Sequence, residues 1–264
     1  MSDRTIDKSE FTPEERERYA RHLILPSVGE DGQRRLKSAR VLVVGAGGLG
    51  SAVSLYLAAA GVGCLGIADD DKVSVSNLQR QILHGTSTLD RLKTASARHR
   101  LEDLNPNLEI RTHRVRISEN SMSAIAESYD LVVDGTDNFE TRYVINDACL
   151  HFRIPYVYGA VHQFEGQASV LCARNGPCYR CLFPSPPPDG TIKSGREAGI
   201  LASIPGVIGT IQATEAIKWI VGMGDLLIGR LLVLDGAAMR FVEIRADKNP
   251  ACPACGRSAN EEER

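Results

Sequence analysis

Four of the chain's seven cysteines form two CxxC pairs, Cys178 with Cys181 in "CYRC" and Cys252 with Cys255 in "CPAC". Two such knuckles supply four thiolates, the donor set of a tetrahedral structural Zn²⁺ that keeps no open position for chemistry. Neither pair opens a helix after a strand, which sets a thioredoxin-like redox role behind the metal reading. A metal here ties the end of the chain back onto its middle. Cys64, Cys149 and Cys172 fall in strand or helix patterns and read as buried apolar side chains. The histidines (His22, His84, His99, His113, His151 and His162) show no ligand spacing with one another and receive no role.

The second constellation is "VLVVGAGGLG", in which Gly45, Gly47 and Gly50 make a GxGxxG between an apolar run and a helical pattern. Glycine there permits a tight turn and close backbone approach to a phosphate, and the following helix offers unpaired N–H groups to an anion. Asp69 follows about 20 residues later, at the end of the next strand, where a ribose hydroxyl lies in such folds. The bridging phosphates of a nicotinamide dinucleotide need few added cations. ATP cleaved at its α-phosphorus releases pyrophosphate, whose charge calls for arginine and lysine clamps and for a carboxylate that holds Mg²⁺. Arg80 in "VSNLQRQ" after the second strand, Lys93 near the start of the following helix and Asp137 in "DGTDN" at the end of a later parallel strand fit those parts, and strand ends on that side of an open sheet are where ligands bind. Each alone has another explanation: a surface charge for Arg80 or Lys93, and a cap for the helix beginning near Asn138 in the case of Asp137.

These residues must be positioned by alternating elements. Residues 12–37 read as a helical arm, with Thr12 as N-cap and Pro13 in the first turn. "ARVLVVG", "CLGIADD", "LEIRTHRVR", "DLVVDGTD" and "PYVYGAV" read as strands. Helices are expected at 48–61, 88–104, 121–128 and 138–152. This alternation predicts an α/β fold, a Rossmann-like and mostly parallel sheet with helices on both faces. After Val161, "EGQASVLCA" and "RLLVLDGAAMRFVEIR" alternate as antiparallel strands around a helix at "VIGTIQATEAIKWIVG", extending the same sheet. The proline- and glycine-rich "FPSPPPDGTIKSGREAGI" reads as a crossing segment. The expected organisation is one domain over 1–257, with the arm 12–37, a nucleotide-binding half 38–160 and a zinc-bearing half 161–257, then a disordered tail 258–264.

A formal net charge of −2 and a pI near 6.3 give no general attraction to nucleic acid or anionic lipid. The charged N-terminus lacks a signal-peptide core and no apolar run reaches a membrane span, so a cytoplasmic protein is expected.

Taken in order, "RYARHLILP", "VLVVGAGGLGS", "VSNLQRQ", "DGTDN", "GPCYRC" and "CPACG", spread over roughly residues 14–257, resemble the ThiF/MoeB family, bacterial relatives of ubiquitin-activating enzymes. The resemblance implies ATP-dependent adenylation of the C-terminal glycine of a small ubiquitin-fold sulfur carrier protein ending in Gly-Gly. It implies that Gly48 of the glycine loop and Asp69 contact the nucleotide, and that Ser76, Asn77, Arg80 and Lys93 line the phosphate site. Asp137, beside Asn138, matches the family's Mg²⁺ aspartate. Arg21 matches an arginine that enters the active site of the neighbouring subunit, which implies a homodimer. The sequence departs from the family at "SGREAGI", where Gly195 stands in place of the crossing-loop cysteine of many relatives. Adenylation without a covalent loop intermediate is therefore expected, with sulfur coming from a separate donor protein. A catalytically silent carrier-binding scaffold is the alternative, and a dehydrogenase comes third. Molybdopterin, thiamine, tRNA-thiolation and cysteine or natural-product routes share this activation step.

Overall fold

The computed structural model describes residues 10–173, 176–188, 191 and 195–256. The expected tail and residues 189, 190 and 192–194 of the crossing segment lie outside the described residues. The arm folds as three helices rather than one: α1 (Pro13–Arg18), α2 (Ala20–Leu23) and α3 (Gly29–Ser38). Thr12 caps α1, accepting from the Glu15 N–H at 3.2 Å while its own N–H donates to Glu15 Oε2 at 2.8 Å. Tyr19 leaves helical geometry at ψ 12°, and Pro26, which has no N–H, separates α2 from α3. Glu15 also pairs with Lys37 at 2.9 Å, fastening α1 to α3.

Strands β1 (Arg40–Val44), β2 (Cys64–Ala68), β3 (Glu109–His113), β4 (Leu131–Asp134), β5 (Tyr156–His162), β6 (Glu165–Leu171), β7 (Arg230–Asp235) and β8 (Arg240–Arg245) form one sheet in the order β3-β2-β1-β4-β5-β6-β7-β8. The first five are parallel and the last three run antiparallel. Parallel neighbours require crossovers, which α4 (Gly48–Ala60), α5 (Lys93–Leu104), α6 (Glu119–Ala126) and α7 (Phe139–Phe152) supply. Short helices α8 (Tyr179–Leu182) and α9 (Gly195–Ala198) precede the long α10 (Ser203–Val221). Successive residues of β1 bury on opposite faces: Val41 and Val43 pack with Val53, Leu57, Ala97 and Ala213, whereas Leu42 and Val44 pack with Met122, Ile145 and Tyr156. Burial on both faces is why "RVLVV" is apolar throughout instead of alternating.

The helix expected from Thr88 begins only at Lys93, because 86–88 is a single 3₁₀ turn and Asp90 takes a left-handed φ of 61°. At the other edge, all six residues of β8 are exposed, with Phe241, Val242 and Ile244 about half accessible. No helix among the described residues is long and apolar enough to cross a membrane.

Candidate nucleotide site and metal centre

Strand order reverses between β1 and β4, and in open α/β sheets ligands bind in the crevice outside the strands' carboxyl ends at such a switch point. Residues 45–48 line one wall. Gly45 has φ +93°, and a Cβ there would lie 2.6 Å from the Gly135 carbonyl oxygen, so any side chain would separate the two loops. Gly47, the N-cap of α4, provides no side-chain cap, so the helix's first N–H groups have no side-chain partner from it. The Cβ position of Gly48 lies 3.5 Å from Arg80 Cγ and 2.8 Å from Pro205 at the start of α10.

Asp69 is fixed by two backbone donors: Ala46 N–H to Oδ2 at 2.8 Å and Asp71 N–H to Oδ1 at 2.8 Å. The first of these ties the end of β2 directly to the glycine loop. Lys93 is buried, with Nζ 2.9 Å from Asp71 Oδ2 and 4.0 Å from Asp69 Oδ2. Asp71 is therefore the counterion of Lys93. Arg80 is half-buried, and its guanidinium donates to the Ser76 carbonyl at 3.3 Å. Asp69, the stem of Arg80 and the loop carrying Asp137 thus border residues 45–48, and Lys93 lies behind them on Asp69.

The smaller polar residues are more locally engaged. Ser76 Oγ lies 3.1 Å from Ser74 Oγ, and Asn77 Oδ1 accepts from the Ser74 N–H at 3.3 Å, closing the 3₁₀ turn 75–77 on itself. Asn138, not Asp137, caps α7, accepting from the Thr141 N–H at 2.9 Å. Asp137 is left exposed, with no hydrogen bond or ion pair among the described residues. Arg21 does not join this group. Its neighbour Tyr19 packs on Gly61 at the far end of α4, where a Cβ would lie 2.6 Å from the ring. The 13 residues of α4 rise about 1.5 Å each, which puts that end about 20 Å from the glycine loop.

Sequence reasoning missed three residues here. His84 is buried with Nε2 2.9 Å from the Ala46 carbonyl and Nδ1 2.9 Å from Ser96 Oγ, joining the glycine loop to α5. A carbonyl only accepts, so Nε2 carries a proton, while Ser96 Oγ itself donates to Thr88 Oγ1 at 3.0 Å. Burial lowers the His84 pKa. Gln81 is 5% exposed, its Nε2 lies 3.8 Å from the Cβ position of Gly47 and its Oε1 is unpartnered. Asp134 is wholly buried and pairs with Arg142 at 3.3 Å. Burial opposes the charge of Arg142, yet Asp134 beside it holds its pKa above the usual value. The available signal was an acid closing the apolar run "LVVD", where an unpaired charge is untenable.

The four CxxC cysteines meet beside α7. Sγ separations are 3.8 Å for Cys178–Cys181, 3.6 Å for Cys178–Cys252 and 3.4 Å for Cys181–Cys255, and all four sulfurs lie within 4.8 Å of one another. Zn–S bonds of about 2.3 Å in a tetrahedron put sulfurs about 3.8 Å apart, so the cluster fits a four-thiolate metal site. Both residues inside the first knuckle are anchored on α7: the Tyr179 N–H donates to Asn146 Oδ1 at 2.7 Å, and Arg180 forks onto Asp147 at 3.0 and 2.7 Å. Burial raises the Cys178 thiol pKa. At Cys252 burial is outweighed by backbone hydrogen bonds from Ala254 and Cys255, which bring it down to about 7. Cys172, expected in a regular element, sits just past β6 at φ +56°, only partly buried, with Sγ 3.5 Å from Asn146 Oδ1.

The profile of the ThiF family matches residues 19–254. A protein named sulfur carrier protein adenylyltransferase from Thermus thermophilus is 47% identical over 251 residues, covering 93% of each chain. A probable adenylyltransferase/sulfurtransferase, MoeZ, from Mycobacterium tuberculosis is 48% identical over 93% of this chain, which spans 64% of MoeZ. Among solved structures, E. coli MccB superimposes with a TM-score of 0.83 at 21% identity, covering 95% of this chain and 75% of that one, a likeness of fold.

Proposed function

The chain belongs to the ThiF family, and on that premise we propose that it adenylates the C-terminal glycine of a small ubiquitin-fold sulfur carrier protein ending in Gly-Gly, consuming ATP and releasing pyrophosphate. The observation that carries this reading is that Asp69, the stem of Arg80 and the Asp137 loop border residues 45–48 at one uncapped helix start, with Lys93 behind them on Asp69. A dinucleotide's bridging phosphates do not call for that density of charge.

Asp69 would hold the ribose, and the N–H groups beginning α4 the phosphates, with Gly45, Gly47 and Gly48 giving the backbone its close approach. Ser76 and Asn77 border the phosphate end beside Arg80. The carrier's terminal carboxylate is ionised at neutral pH and needs no general base. The difficulty is repulsion between two anions. Arg80 and Lys93 offset it by binding the non-bridging and departing oxygens, so catalysis is positioning and electrostatics. Asp137, exposed and unpartnered next to Asn138, fits a Mg²⁺ that is otherwise held by phosphates and water; the ion would supply further charge neutralisation at the leaving group.

Arg21 lies too far away to act in its own subunit, which supports a homodimer in which it completes the partner's site. The four-cysteine cluster suits structural Zn²⁺. With Gly195 at the start of α9, the acyl adenylate would pass to a separate sulfur donor protein without a loop thioester. A silent carrier-binding scaffold of the same fold is the second reading, and the absent loop cysteine favours it. Mass spectrometry of a Gly-Gly-ended carrier incubated with the protein and ATP decides between them. The enzyme adds one AMP to the carrier, cleavable by hydroxylamine; an unmodified carrier that still co-purifies with the protein overturns the catalytic reading.

A further inference from the structure

Asp137 owes its place to residues that do not themselves face the crevice. Asp134, wholly buried at the end of β4, accepts from the Thr136 N–H at 2.8 Å and the Thr136 hydroxyl at 2.6 Å on Oδ1, and from Arg142 Nε at 3.3 Å and the Tyr156 hydroxyl at 2.8 Å on Oδ2. Arg142, reaching back from the second turn of α7, also donates through Nη2 to the Thr136 carbonyl at 3.2 Å. Its guanidinium is boxed by the rings of Phe139 at 5.6 Å and Tyr158 at 5.7 Å. From α10, Gln212 Nε2 donates to the Asp134 carbonyl at 2.7 Å. Thr136 is thereby clamped through its N–H, hydroxyl and carbonyl, one residue before Asp137. On the other side Asn138 is fixed as the cap of α7. The carboxylate of Asp137 is thus free while its backbone is held on both sides.

A fold needing only a strand-to-helix turn here would not require a buried ion pair, since burying two charges is costly unless each is fully bonded. A site that must hold a hard cation in a fixed geometry does require it, because the residues behind a metal ligand orient that ligand. We propose that Asp134, Thr136 and Arg142 are positioning residues that aim the Asp137 carboxylate at the nucleotide's divalent cation and so set the affinity for that cation. This rests on the reading of Asp137 as the cation's ligand.

The test titrates Mn²⁺ into the intact protein saturated with a non-hydrolysable ATP analogue and follows free Mn²⁺ by electron paramagnetic resonance, so no turnover is needed. Thr136→Val keeps the backbone and shape but removes the hydroxyl bond to Asp134. It weakens Mn²⁺ binding by about tenfold, the scale at which a residue behind a ligand acts, with the melting temperature and metal-free nucleotide affinity near wild type. Thr136→Ser, which restores the hydroxyl, returns the affinity to within about twofold of wild type. Wild-type Mn²⁺ affinity in Thr136→Val overturns the proposal, as does an affinity loss that Thr136→Ser does not repair. Asp134→Asn strands Arg142 in the interior and is not used as the decisive variant. Asp137→Asn separates the two levels of inference: if it binds Mn²⁺ like wild type, the underlying assignment of Asp137 fails, whereas loss in Asp137→Asn with none in Thr136→Val overturns the positioning role alone.

Discussion

Lys93 is buried while Asp71, its partner at 2.9 Å, has a side chain 60% exposed, so a triphosphate bound as proposed would compete with Asp71 for one ammonium group. Replacing Asp71 with asparagine removes that competitor and leaves Lys93 near Asp69, 4.0 Å away. Ion pairs with so exposed a partner are worth about 0.2–1 kcal/mol after screening. ATP affinity should therefore rise, by at most about fivefold. Lys93→Gln acts in the opposite direction, because the ammonium is held in the crevice in a partly dry setting, and weakens ATP by about tenfold or more. Salt discriminates further: the Asp71→Asn gain shrinks above physiological ionic strength, where the Debye length falls below about 8 Å. Calorimetric titration with a non-hydrolysable ATP analogue, repeated at low and high salt, reads all of this. Weaker binding in Asp71→Asn, or unchanged binding in Lys93→Gln, refutes the assignment of Lys93 as a phosphate ligand.

Metal analysis of purified protein should find one zinc per chain, and chelation should expose the segment around Cys252 and Cys255 to proteolysis while the β1–β5 half stays protected; zinc-free protein with an intact C-terminus contradicts the metal centre. Arg21→Ala and Asp137→Ala, each inactive alone, should recover activity on mixing, because a mixed dimer assembles one complete site; absence of recovery despite subunit exchange counts against action in the partner. His84 has a folded-state pKa below its usual value, so its contribution to stability is whole above about pH 6.5 and is lost as the pH falls, when the unfolded chain takes up a proton that the fold resists. Melting temperatures across about pH 7.5 to 5.5 should fall less steeply in His84→Gln, with His113, also lowered by burial, carrying the remainder; identical slopes dismiss His84 as a contributor.

The parallel half of the sheet was legible because its strands are apolar runs punctuated by glycine: "RVLVV" before the glycine turn and Gly61, at φ +86°, ending α4. Local pattern said less where tertiary contacts decide. The break of the arm at Tyr19 follows from that ring's docking on Gly61 and its bond to Asn105, residues far off in sequence. The delayed start of α5 depends on a left-handed Asp90 that no propensity requires. In the candidate site, residue types and spacing could only nominate cationic and acidic groups, since the sequence carries chemistry by type. They could not name what holds them, because His84, Asp134 and Arg142 act through burial and partners visible only in three dimensions.

Carrier-dependent exchange of labelled pyrophosphate into ATP, measured for the wild type and Asp137→Ala with the fold of each checked by melting, reads the reversible chemistry at the α-phosphorus. The account predicts exchange in the wild type only when the carrier is present, and none in Asp137→Ala at an unchanged melting temperature. Exchange at the wild-type rate in Asp137→Ala, or no exchange in the wild type with a Gly-Gly-ended carrier that it binds, would contradict it.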